Sequence, residues 1–119
     1  HSETLAIRVV ELTKMMADDV PIRAAGGLDD GSFGTSFEKI LNAIEEVYSD
    51  DGVIVLMDMG SAVMTTEMVL ELMPERKIVM ADCPLVEGAV AATVSAMVGR
   101  SLDEIMNELS DVREQKKLQ

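Results

Sequence analysis

Five consecutive apolar residues, Val53-Ile54-Val55-Leu56-Met57, stand between Gly52 and Asp58. A run this short and continuous reads as a strand buried on both faces, as in a parallel sheet. Helical and strand-like patterns alternate around it. Leu5, Val9, Leu12 and Met16 share one face of a first helix, which Asp18-Asp19 ends. Val20 to Ala25 is a short strand, with Pro21 near its start where a missing N–H is tolerated. A glycine-rich loop from Gly26 to Gly34 follows. Thr35 or Ser36 caps a helix whose apolar stripe is Phe37, Ile40, Leu41, Ile44, Val47 and Tyr48.

After Val53–Met57, the turn Asp58-Met59-Gly60-Ser61 leads into a helix reaching about Met73. Lys77 to Ala81 is another strand. Leu85 to Val98 is an alanine-rich helix, apolar almost all round and therefore buried. Ser101 and Glu104 form a capping box for a last helix, with Leu102, Ile105, Met106, Leu109 and Val112 facing inward. This order predicts an α/β fold, an open and mostly parallel sheet with helices on both faces. Such a sheet normally has a strand feeding its first helix. Here the pattern opens directly on that helix, so the expected sheet lacks its first strand. A length of 119 residues fits one domain, placed at residues 1–112, followed by a polar tail at 113–119.

Composition removes several classes of function. A net charge of −12 leaves no basic footprint for nucleic acid or for an anionic membrane surface. With one cysteine, Cys83, neither an internal disulfide nor a cysteine-based zinc site can form. No secretory segment or apolar run of transmembrane length occurs, and the cytoplasm is the expected address. With no Trp and three other aromatics, Phe33, Phe37 and Tyr48, the core falls to aliphatic residues and to some of the ten Met.

Ligands of open α/β sheets bind outside the carboxyl ends of the strands. Three loops are expected at that edge: Gly26–Gly34, Asp58–Ser61 and Asp82–Pro84. The only histidine, His1, stands at the entrance of the first helix, where backbone N–H groups and the helix dipole favour a phosphate. It reads either as a phosphate acceptor or as a plain neighbour of the helix cap. Asp58 reads either as an imidazole partner at a strand end or as a turn residue. Gly34-Thr35-Ser36 and Gly60-Ser61 put small residues and hydroxyls at helix starts, which suits oxyanions and ordinary caps alike. Neither loop is a P-loop and no GxGxxG occurs. Asp29-Asp30 and Asp50-Asp51 read as solvated turns rather than metal ligands. Glu87, in an apolar helix, reads as an interface or site residue or as one that reaches solvent.

Taken in order, His1-Ser2-Glu3-Thr4-Leu5-Ala6, Gly26-Gly27-Leu28, Gly34-Thr35-Ser36-Phe37, Asp58-Met59-Gly60-Ser61-Ala62 and Pro84-Leu85-Val86-Glu87-Gly88 span nearly the whole chain. Together they resemble the mannose-type IIA family of the sugar phosphotransferase system. Within it they are most similar to the branch that feeds phosphate to dihydroxyacetone kinase. The resemblance implies that His1 becomes a phosphohistidine and that Asp58 pairs with its imidazole. It also implies that Gly34, Thr35, Ser36, Gly60 and Ser61 line the phosphate site. It implies HPr as donor, ADP bound in the DhaL subunit as acceptor, DhaK as the indirect beneficiary, and a homodimer. No cofactor or metal is implied for the chain itself. The alternatives are a IIA component of a mannose-type sugar transporter, passing phosphate to a IIB domain, and a non-catalytic regulatory or interaction module.

Overall fold

A computed structural model describes residues 1–118. The order is α1 (Glu3–Lys14), α2 (Phe37–Val47), β1 (Val53–Leu56), α3 (Gly60–Glu71), β2 (Ile78–Ala81), α4 (Leu85–Met97) and α5 (Leu102–Glu114). β1 and β2 pair in parallel, with Val53 opposite Ile78 and Leu56 opposite Ala81. The apolar run thus forms the parallel strand that its composition implies.

Side chains alternate across this ladder and supply two separate cores. On one face Val55 and Ile78 pack with Ile40 and Ile44 of α2 and with Val69 and Met73 on and after α3. On the other, Ile54, Leu56 and Ala81 pack with Ala92 of α4 and with Ile105 and Leu109 of α5. Helices therefore cover both faces, as the alternation predicts. Gly88, Ala89 and Ala92 are buried on α4, and such small side chains let neighbouring helices approach closely. α1 packs against α4 and has Val9 and Thr13 buried, whereas Leu5 and Met16 each stay 47% exposed.

Local signals set the helix ends. Ser36, rather than Thr35, caps α2 by accepting from Lys39 N at 3.2 Å. Ser101 and Glu104 form the expected box on α5, at 3.2 and 2.9 Å. The hydrogen bonds from Ser101 hold the Glu104 carboxyl below its usual range. The contribution of this cap is therefore present at neutral pH and is lost as pH falls through that lowered value. α5 runs two residues into the stretch assigned to the tail, ending at Glu114, and Gln119 of that tail lies outside the described residues.

Val20–Ala25 forms no strand. It has no ladder partner, and the described residues contain two strands rather than three. The reason is spatial. Val20–Gly26 and Val53–Met57 both line one cavity of about 740 Å³, bordered also by Val9, Ile40, Ile44, Ala89 and Ile105. The segment and β1 thus border one open space with no ladder hydrogen bond between them, and a ladder needs strands about 4.8 Å apart. No described helix is long and apolar enough to cross a membrane.

Candidate functional site

The carboxyl end of β1 delivers Asp58 to the edge of the sheet, and the start of α1 delivers His1 to the same place. Nδ1 of His1 lies 2.8 Å from Asp58 Oδ1. The main-chain nitrogen of His1 donates to Asp58 Oδ2 at 3.0 Å, and Met59 N donates to Oδ1 at 2.7 Å. Both carboxylate oxygens are therefore engaged, and the side chain is fixed in position and rotation. The two side chains are only 23% and 18% exposed, so the pair is shielded from much of the solvent screening that weakens surface ion pairs.

A carboxylate is an acceptor, so this contact assigns the ring proton to Nδ1 and leaves Nε2 with its lone pair. Nε2 faces Ser61 Oγ at 2.5 Å, and the Ser61 hydroxyl donates to it. Thr35 Oγ1 lies 3.0 Å from Ser61 Oγ and completes a row of imidazole and two hydroxyls. Ser61 is the second residue of α3, and the helix has no side-chain cap at Met59. Its first-turn N–H groups and its dipole thus add positive potential beside Nε2. This is a place where an anion can be held next to a nucleophilic nitrogen.

The loop from Gly26 is fastened to α1 from below. A Cβ on Gly26 would lie 2.5 Å from Ser2 O and 2.9 Å from Ala6 Cβ. Gly27, at φ +74°, lies against Glu3 in the same way, its Cβ position 2.7 Å from Glu3 N. Lys39 ties the two segments together: Nζ donates to Glu3 Oε2 at 2.7 Å, Gly26 O at 3.1 Å and Leu28 O at 3.4 Å. Gly34 N then donates to His1 O at 2.9 Å. The loop therefore ends against the main chain of the histidine it helps to place.

Of the residues singled out in the sequence, His1, Asp58, Gly34, Thr35 and Ser61 come together in one cluster. Gly60 opens α3 beside it. Ser36 adjoins it, but its oxygen serves α2 as a cap by accepting from Lys39 N. Asp82–Pro84 reaches the same edge of the sheet without a described hydrogen bond to the cluster, and Asp82 pairs with Arg113 at 3.5 Å. Glu87 resolves as a half-buried residue on the first turn of α4, paired with Lys117 at 3.0 Å, which holds its carboxyl below the usual range. Among the described residues no three His, Cys, Asp or Glu side chains gather as metal ligands would.

Sequence reasoning passed over Lys39. A signal for it existed: a lysine in the first turn of a helix opposes the helix dipole, so its place there calls for a specific partner. Glu3 and two carbonyls provide it.

The fold and the site together define a class: an open parallel α/β domain with an imidazole, a carboxylate and hydroxyls at the strand carboxyl ends. The chain belongs to the EIIA-man family, described as the PTS system fructose IIA component, whose profile matches residues 1–106. Its relatives are more particular. It is 41% identical over its whole length to the phosphoryl donor subunit DhaM of the PEP-dependent dihydroxyacetone kinase of Escherichia coli K12, and spans 27% of that protein. It is 34% identical to the phosphotransferase subunit DhaM of the PTS-dependent dihydroxyacetone kinase of Lactococcus lactis, over 92% of this chain and 87% of the other. A crystal structure of a protein of unknown function, EF1359, superposes with a TM-score of 0.87 at 29% identity, covering 100% of this chain and 93% of that one.

Proposed function

We propose that the chain is the phosphoryl-transfer domain of a dihydroxyacetone kinase system, that residues 1–112 belong to this domain, and that His1 Nε2 carries the phosphate. Its substrates are a phosphorylated carrier protein, HPr, and the ADP bound in DhaL, which then serves DhaK, all in the cytoplasm. The observation that carries the reading is the 2.8 Å contact between His1 Nδ1 and Asp58. It fixes the one tautomer in which Nε2, beside the start of α3, is the nucleophile.

The steps follow from that geometry. The Nε2 lone pair attacks phosphorus, an N–P bond forms, and the donor's phosphoryl bond breaks with its electron pair leaving on the carrier. The Nδ1 proton stays on the ring, and Asp58 balances the positive charge the ring acquires. The Ser61 hydroxyl occupies the direction of attack, so it must swing aside as the phosphoryl group arrives. Once displaced, it donates to a phosphoryl oxygen, with Thr35 and the first N–H groups of α3 beside it. In the second step an oxygen of the ADP β-phosphate attacks, the N–P bond breaks, and its electron pair returns to Nε2. The protein's contribution is chiefly position and fixed charge. The homodimer expected of the family has apolar surface available on α1, where Leu5, Leu12, Met15 and Met16 are exposed.

Charge and discharge test this reading. Incubated with phosphoenolpyruvate, enzyme I and HPr, the chain should gain one acid-labile phosphate by intact mass. Addition of DhaL with ADP should remove it and yield ATP. A phosphate that DhaL·ADP leaves in place while a transporter IIB domain removes it would contradict the kinase assignment.

A further inference from the structure

Lys39 is held in a way that its own helix does not require. Its side chain is only 21% exposed, and an ammonium has three N–H donors. Its acceptors are Glu3 Oε2 at 2.7 Å, Gly26 O at 3.1 Å and Leu28 O at 3.4 Å. None of them belongs to α2. Fixing a four-carbon stem costs rotamer entropy, and a lysine in a first turn also opposes the helix dipole. What the acceptors hold accounts for both costs.

The loop Gly26–Gly34 meets each of the first three residues. Gly34 N donates to His1 O, and Gly26 and Gly27 lie so close to Ser2 O and Glu3 N that a Cβ on either would clash. Gly34 in turn rests on Leu28, its Cβ position 3.0 Å from Leu28 Cγ. Leu28 O also accepts from Gly31 N at 3.0 Å, which closes the loop on itself. Among the described residues, the hydrogen bonds that fasten this loop to the rest of the chain run only to Lys39 Nζ and His1 O. The main chain of the lysine is fixed as well. Ser36 Oγ accepts from Lys39 N at 3.2 Å, and the adjacent Thr35 places Oγ1 3.0 Å from Ser61 Oγ. One side chain therefore joins the segment that carries the imidazole to the helix start that carries Thr35.

We infer that Lys39 is a positioning residue for phosphoryl transfer: through Glu3 and the carbonyls of Gly26 and Leu28 it sets His1 Nε2 against the hydroxyls of Ser61 and Thr35. This rests on the phosphotransfer reading above. Asp58 determines which ring nitrogen is free. Lys39 determines where the segment bearing the ring stands relative to α2 and, through the contact of Thr35 with Ser61, relative to α3. In-line transfer is steep in such placement, so a small drift of one helix start against another is costly. Lys39 also neutralises Glu3, whose carboxylate would otherwise stand two residues from a doubly charged phosphoryl group.

Lys39→Met keeps an unbranched stem and removes the charge and its three donors. Charging is measured with phosphorylated HPr, a protein, and with phosphoramidate, a small molecule that needs no docking surface. Rates are referred to the folded fraction read by circular dichroism. With HPr, kcat should fall by about tenfold or more while KM holds, and the rate with phosphoramidate should fall by the same factor. Arg76→Met is the control. It removes a cation just before β2 that pairs with Glu45 at 3.3 Å and lies 4.7 Å from the centre of the Tyr48 ring. It should lower thermal stability and leave both rates unchanged. Should Lys39→Met not fold, Glu3→Ala frees α1 from the same ammonium, and both rates should fall by about threefold or more. Variants at Lys39 or Glu3 that lose stability yet charge within about twofold of the unaltered chain from both donors would make the lysine a support of the fold alone and overturn the inference. A loss confined to KM for HPr would overturn it too, because it would put Lys39 in carrier contact. So would an equal loss of rate in Arg76→Met. Failure of the unaltered chain to take phosphate from either donor would sink the phosphotransfer reading itself, an outcome distinct from an active chain whose variants are equally active.

Discussion

His1→Ala is expected to take up no acid-labile phosphate from HPr or from phosphoramidate. The chain has no other histidine. No other group in the cluster offers a free nitrogen lone pair held in place by a carboxylate. The loss should be complete rather than partial, because the covalent bond itself has nowhere to form. The fold should survive. His1 lies ahead of α1, and Ser2 caps that helix through Leu5 N at 3.2 Å without using the imidazole. Intact mass under alkaline and acidic conditions reads the phosphate, and circular dichroism reads the helices. A variant that still gains an acid-labile phosphate would place the chemistry on another residue.

Asp58→Asn should retain the fold and lose about 10²- to 10⁴-fold in the rate of charging. The amide cannot serve both sets of donors. With its oxygen toward His1 Nδ1 and Met59 N, its NH2 group meets the His1 main-chain nitrogen, a second donor. Turned over, its NH2 group meets Met59 N–H and takes the Nδ1 lone pair, which moves the ring proton to Nε2 and removes the nucleophile. Either way the negative charge opposite the phosphorylated ring is gone. Rapid-quench measurement of charging by HPr gives the rate, and chemical shifts of the imidazole nitrogens give the tautomer. A rate within a factor of about two of the unaltered chain would show that Asp58 is a turn residue and no more.

What could be read from the residues alone was local. Val53–Met57 announced a doubly covered strand because nothing else tolerates five apolar residues between a glycine and an aspartate so briefly. Ser101 and Glu104 announced a helix start because their two hydrogen bonds span only three residues of chain. Asp58 and Ser61 could be placed at one edge of the sheet from the order of elements and the rule for ligands in open sheets. Whether Val20–Ala25 would pair was not legible. A strand exists by virtue of its neighbour, and Val20–Ala25 shares a cavity with β1 rather than a ladder. The buried face of α1 was partly misread for a related reason. Its pattern is apolar on more than one side, and the position of α4 selects Val9 and Thr13 over Leu5 and Met16. The Lys39 hub joins residues 3, 26 and 28, and such long-range coincidences have no period to betray them.

The central claim is that Asp58 dedicates His1 Nε2 to the phosphate, and one spectrum tests it. The chain labelled with ¹⁵N in histidine would be charged through HPr, and its long-range ¹H–¹⁵N correlations and ³¹P coupling recorded. Phosphorus coupled to Nε2, with Nδ1 carrying the proton, is the expected result. Phosphorus on Nδ1, or on any residue other than His1, would contradict the account.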